Sequence, residues 1–149
     1  MIILMFIGAS PGSTGGGVKT TTIAALLASL WSNIRGQKSA VIFNRRIPQD
    51  KVERAVVIIF LSLFLVIFCT MILSVTERAP FIDVLFETVS AFGTVGLTTG
   101  LTPKLSAVGK AVIMFVMFAG RVGPLSLAFA LGRRDKQLYE YPQGILNLG

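Results

Sequence analysis

The chain has 149 residues, of which 53% are apolar and only 14% charged, and its mean hydropathy is +0.76. A soluble domain carries about a quarter charged residues, so this composition excludes an ordinary soluble domain and points to an integral membrane protein. The net charge of +7 comes with no histidine and a single cysteine, which removes the commonest general base and transition-metal ligand and leaves no disulfide framework. The basic residues cluster: Arg35, Lys38, Arg45, Arg46, Lys51 and Arg54 precede one long apolar run, and Arg133, Arg134 and Lys136 follow another. Loops retained in the cytoplasm carry such an excess. The charge therefore reports orientation, and no nucleic acid partner is needed to explain it.

In chain order, residues 1–7 (MIILMFI) are apolar and too short for a signal-peptide core with a basic leader. They read as the end of a helix whose start is absent. Residues 8–19 follow, with Gly8, Ser10, Pro11, Gly12, Ser13, Thr14, Gly15, Gly16, Gly17 and Lys19. A nucleotide-binding P-loop needs glycine, four residues, then Gly-Lys-Ser/Thr. Here Val18 stands before Lys19, one residue out of register, and no βαβ pattern follows. A P-loop-like nucleotide-binding protein is thus the rival reading, and loss of ATP binding on Lys19→Ala would be its mark. The preferred reading is a transmembrane helix, 1–31, broken by a glycine-rich intramembrane loop at 8–19. Such irregular backbone must line water or protein, which makes the loop a candidate gate.

Residues 32–54 form a basic cytoplasmic linker. Residues 55–76 run for 22 positions without a charge, and about 20 apolar residues span a ~30 Å hydrocarbon core. Pro80 suits the first turn of a new helix. Residues 81–92 (FIDVLFETVSAF) have helical periodicity, with Phe81, Leu85, Val89 and Phe92 on one face and Asp83 and Glu87 four apart. This segment is too short to cross a bilayer. If both basic segments are cytoplasmic, 77–110 lies outside, and a half-length apolar helix there reads as re-entrant. An extracellular amphipathic helix with a glycine loop is the alternative.

The next residues, 93–100, contain Thr94, Val95, Gly96 and Leu97, which have the character of a cation filter. Extended backbone with small or β-branched residues can aim successive carbonyl oxygens at one axis and replace the hydration shell of potassium. The carboxyl end of the helix before it favours a cation through its dipole. One such unit cannot enclose an ion, and about three more must surround the same axis. The last span, 108–132, contains Arg121 beside Gly120, Gly123 and Pro124. A mid-span charge costs roughly 2.5–3.5 kcal/mol and normally faces a cavity or partner. Snorkelling to the headgroups would have to cover about 16 Å of helix to reach the level of Arg133. Residues 133–149 read as a cytoplasmic tail.

GASPGSTGGGVKTTT, FETVSAFGTVGLTTG and GRVGPLSLA with a Tyr-x-Tyr-Pro tail together resemble the membrane subunit of Trk/Ktr/HKT potassium transporters. The Pro11-Gly-Ser-Thr wording and the Asn44-Arg-Arg-Ile linker are closest to the bacterial KtrB branch. The resemblance implies an all-α integral membrane fold of helix–pore loop–helix repeats, four around one pore. This chain would correspond to the second helix of the third repeat (1–31) and the whole fourth repeat (55–132), a C-terminal fragment. Thr94 to Leu97 would be this repeat's share of the potassium filter, Gly8 to Lys19 the loop that obstructs the pore beneath it, and Arg121 an electrostatic barrier near that loop. The implied protein is a multi-pass subunit of the plasma membrane, most simply a bacterial inner membrane. It would be a homodimer in lipid on a cytoplasmic ring of nucleotide-binding regulatory subunits, with sodium as a candidate activator. No cofactor or catalytic residue is implied, because moving a cation inward gains about 2.3 kcal/mol per 100 mV. A non-conducting remnant or accessory membrane subunit is the remaining alternative.

Overall fold

The computed structural model describes residues 1–36, 41–42, 45–123 and 126. The C-terminal tail 133–149 and most of 124–132 therefore lie outside the described residues. The described chain is helical, apart from a two-residue antiparallel pair of β1 (Val41–Ile42) and β2 (Arg45–Arg46), in register Val41↔Arg46.

Helix α1 (Ile2–Phe6) ends before the glycine loop, and helix α2 (Thr20–Ile34) follows it. Gly36, at φ +67°, lies just past the end of α2, where its missing Cβ suits the left-handed turn that closes helices. Helix α3 (Gln49–Thr76) begins six residues before the apolar run, at Gln49 rather than at position 55. Pro48 caps it and Asp50 sits in its first turn, where a carboxylate meets the positive end of the helix dipole. It is the helix, among the described residues, that is long and apolar enough to cross a membrane, and only 28% of its apolar window is buried within the chain. A soluble core helix of that length would be covered on most sides. Here Val52, Ala55, Ser62, Val66, Cys69 and Leu73 face inward, while Phe60, Phe64, Phe68 and Met71 project outward. The Ser62 and Thr70 hydroxyls donate to the carbonyls of Ile58 and Val66 at 2.7 Å each, so neither is left unsatisfied in an apolar setting.

Helix α4 (Phe81–Gly93) follows Pro80, which stands at the cap and not inside the first turn. Its burial is asymmetric along its length. Phe81 and Ile82 are exposed, whereas Glu87 through Gly93 are buried on every side. The face expected to carry Phe81, Leu85, Val89 and Phe92 is therefore exposed at Phe81 and buried at Val89 and Phe92. A short 3-10 turn (Thr102–Lys104) leads to α5 (Ala107–Val122). Ser106 caps α5 by accepting from the Gly109 N–H at 3.1 Å. Glu77, at the end of α3, accepts in turn from the Ser106 backbone N–H at 3.2 Å and from its hydroxyl at 2.5 Å. A carboxylate is thus fixed over the amino end of α5. α5 ends at Val122, with Gly123 at its cap at φ +91°, and the rest of the expected span 108–132, apart from residue 126, lies outside the described residues.

The core gathers at the lower end of α4. Phe92 is wholly buried, its ring stacked on Phe6 at 5.6 Å, with Met5, Val18, Leu73, Val84 and Val116 around it. Side chains gain little from leaving lipid for protein, so close approach through small residues carries much of the packing. Two glycines make that approach: a Cβ on Gly120 would collide with the Phe92 carbonyl oxygen, and one on Gly93 with the Met5 carbonyl oxygen.

Candidate functional site

The glycine loop and the loop after α4, 78 residues apart in sequence, meet in space. The loop begins with a turn in which Ser13 N–H donates to the Ser10 carbonyl at 3.1 Å, with Pro11 and Gly12 between them and Gly12 at φ +84°. Proline followed by a residue at positive φ is the pattern of a type II turn. The far side then folds back so that Gly16, Gly17 and Val18 are buried. Gly8 N–H donates to the Val18 carbonyl at 2.8 Å, and Val18 N–H to the Phe6 carbonyl at 3.2 Å, a short parallel bridge across the neck.

Three contacts dock the loop. Gly16 N–H donates to Thr94 Oγ1 at 2.8 Å, and Gly17 N–H donates to the Gly120 carbonyl at 3.3 Å. The Arg121 guanidinium donates to the Thr14 carbonyl. Lys19 turns back on the loop, its ammonium 2.6 Å from the Gly15 carbonyl. Gly8, Gly16, Gly17 and Val18 thus all spend their backbone N–H groups inside the protein. A phosphate cradle needs such donors free, so this loop is not built as one.

Thr94 ends α4 in the left-handed region, at φ 53° and ψ 39°. A β-branched residue there is strained, at a cost of order 1–3 kcal/mol. Its backbone N–H donates to Ala91 at 3.1 Å, and its hydroxyl accepts from Gly16. Val95 N–H still bonds back to the Ser90 carbonyl at 3.0 Å. Val95, Gly96 and Leu97 then leave the helix and lie exposed in this chain. Gly96 sits at φ +80° with nothing near the place a Cβ would take. The Leu97 carbonyl accepts from Ser90 Oγ at 2.6 Å, so it is already engaged by the helix behind it.

Of the residues singled out from the sequence, Thr14, Gly16, Gly17, Thr94 and Arg121 are brought together, with Gly120 joining them. Pro11, Gly12 and Ser13 are exposed at the outer end of the loop, away from Thr94. Sequence reasoning passed over Ser90 and treated Glu87 only as a helical spacing. Glu87 is buried, and its carboxylate accepts from the Thr98 hydroxyl, from Thr99 N–H at 3.2 Å and from the Thr102 hydroxyl at 2.8 Å. An acid in the buried half of an apolar, half-length helix was the available signal. A cavity of about 360 Å³ lies between this segment and α5, bordered by Glu87, Thr94, Gly96, Leu97, Ile113 and Met117.

A membrane-length helix, a half-length helix ending in an exposed glycine-containing segment, and a glycine loop docked on Thr94 at its start suit a chain of the integral membrane class. The chain belongs to the TrkH family of cation transport proteins, whose model matches residues 1–136. It is 45% identical over 143 residues to the Ktr system potassium uptake protein B of Bacillus subtilis, covering 96% of this chain and 32% of that protein. It is 44% identical over 147 residues to the Ktr system potassium uptake protein D of the same organism, covering 98% and 33%. With the potassium/sodium uptake protein NtpJ of Enterococcus hirae it shares 43% identity over 155 residues, covering 99% and 34%. The chain thus spans about a third of the length of the curated relatives it matches.

Proposed function

We propose that this chain forms part of the pore of a potassium uptake transporter, with Thr94, Val95, Gly96 and Leu97 as one quarter of a carbonyl selectivity filter. The observation that carries the reading is the α4-to-Leu97 unit: a helix carboxyl end aimed at an exposed strand with a positive-φ glycine at its centre. Carbonyls in such a strand can stand in for the water around a dehydrated cation, and the helix end adds partial negative charge. Three comparable units must come from outside this chain. Residues 55–132 then form one helix–pore loop–helix repeat, and 1–31 the inner helix of its neighbour.

In this reading the loop from Gly8 to Lys19 lies under the filter and obstructs the path until it moves. Arg121, held on the loop at Thr14, sets a positive barrier at the same depth. The chain crosses a bacterial plasma membrane more than once, with 32–54 on the cytoplasmic side. It works in a homodimer with a cytoplasmic nucleotide-binding regulatory subunit, and sodium acts as an activator.

A chimera tests this. Residues 1–149 are grafted in place of the matching third of the Bacillus subtilis Ktr system potassium uptake protein B and expressed in cells lacking potassium uptake. Restored growth at low potassium, with selectivity over sodium that falls in Gly96→Ser, supports the reading. A chimera that reaches the membrane without carrying potassium overturns it, and so does unchanged selectivity in Gly96→Ser.

A further inference from the structure

We infer that Glu87 is a positioning residue for the filter, tying the chain just beyond Leu97 to the helix behind it; the inference rests on the potassium-filter reading above. Glu87 is 5% exposed, and a carboxylate at that depth is expensive unless both oxygens are used. Both are. Oε1 accepts from the Thr98 hydroxyl and, at 3.2 Å, from the Thr99 backbone N–H, while Oε2 accepts from the Thr102 hydroxyl at 2.8 Å. Gly100 N–H adds a bond to Thr98 Oγ1 at 2.9 Å, which stiffens the same turn. Residues 98–102 are therefore gathered around one side chain eleven to fifteen positions earlier in the chain.

The consequence for ions is geometric. Residues 95–97 lie between two anchors: Thr94, whose N–H is held by the Ala91 carbonyl at the end of α4, and Thr98, held at its hydroxyl by Glu87. Ser90 holds Leu97 from the same helix face, one turn below Glu87. With both ends fixed, the intervening carbonyls keep one spacing, and a spacing suited to potassium is unsuited to smaller sodium. All three donors to Glu87 are neutral, so among the described residues its charge is held in place without an ion-pair partner, close to the cation path. Carboxylate geometry matters as well as charge, because Thr98, Thr99 and Thr102 need two oxygens set at a fixed angle.

The test uses the same chimera, reading the apparent KM for potassium, the maximal rate and sodium competition, with membrane protein quantified for each variant. Glu87→Gln keeps the shape but replaces one acceptor with a donor. It should raise KM for potassium and lower selectivity over sodium by roughly tenfold, the scale of a hydrogen bond to a charged group, with the maximal rate changed less. Glu87→Asp should recover part of the selectivity. Thr102→Val lies on the exposed side of the network and leaves α4 intact. It should produce a smaller loss alone and no further loss in the Glu87→Gln background, because both remove the same tie. If Glu87→Gln fails to accumulate, the Thr98→Val, Thr102→Val pair makes the same measurement from the loop side. Normal selectivity in these variants, or additive losses, overturns this inference while leaving the transport reading standing. An unsubstituted chimera that carries no potassium overturns both.

Discussion

Two glycine-rich loops interrupt helices in this molecule, and they are held in opposite ways. The loop at 8–19 is tied through its backbone: Gly8, Gly16, Gly17 and Val18 all donate their N–H groups to protein acceptors. The segment at 94–100 is tied chiefly through side chains behind it, Ser90 and Glu87, and residues Val95 to Gly100 stay exposed, with the Val95, Thr99 and Gly100 N–H groups and the Leu97 carbonyl already bonded. The first arrangement consumes backbone polar groups and fills space. The second presents backbone polar groups to whatever lies in front. Similar compositions thus give a loop whose donors are spent in one case and an exposed segment in the other, which under the proposed function become obstruction and ligand surface; the difference lies in which atoms the rest of the fold engages.

That contrast can be broken most severely where the loops share a support. Gly120 lets the Phe92 carbonyl pack directly on α5 and also accepts from Gly17. Gly120→Ala should cost about 3 kcal/mol by overpacking, read as a large fall in melting temperature in detergent and little protein in the membrane. Deleting Gly15–Gly17 in the chimera removes the ties to Thr94 and α5 together. Two hydrogen bonds at about 1 kcal/mol each would shift a closed loop towards open and raise potassium flux by roughly tenfold or more; unaltered flux would sink the obstruction reading.

Gly96→Ser acts on the other loop alone. Its φ of +80° costs an ordinary residue about 1–2 kcal/mol, so selectivity should fall while loop docking at Gly16 persists, as judged by unchanged protease accessibility of residues 8–19. Arg121→Ala should release the Thr14 carbonyl and increase uptake only a few-fold, about 1 kcal/mol for one exposed contact; unchanged uptake kinetics would place the arginine away from the path. Glu77→Gln, which weakens the carboxylate over the start of α5, is expected to be the mildest. A loss of about 0.5 kcal/mol should appear as a small shift in melting temperature without any change in selectivity.

The sequence made the helical, membrane-bound character and the half-length helix legible, because both are properties of consecutive residues. It placed the start of α3 at position 55, since an apolar run marks where charge stops and not where the helix begins, at Gln49. Pro48 and Asp50 were the signals of the true start, and they lie in the polar linker. The pairing of Gly16 with Thr94 was not legible as a contact. Hydrophobic periodicity reports which face of an element is buried, and it says nothing about which buried loop meets which. Glu87 was hidden for the same reason: beside Asp83 it looks like half of an exposed polar stripe, and only the return of residues 98–102 shows that it is enclosed.

The bridge between Ile7 and Val18 has a further consequence for how this molecule can vary. Its two hydrogen bonds join the end of α1 to Val18, two residues before α2, so the ten residues between Ile7 and Val18 hang from this neck as a side branch. A branch closed at its root can lengthen or shorten with only a small change in closure entropy. Neither α1 nor α2 then has to rotate or slide. Residues 9–13, outside the ties at Thr14 and Gly15, can change in number, setting how far the branch reaches, while the register of the flanking helices and the packing around Phe92 stay as they are.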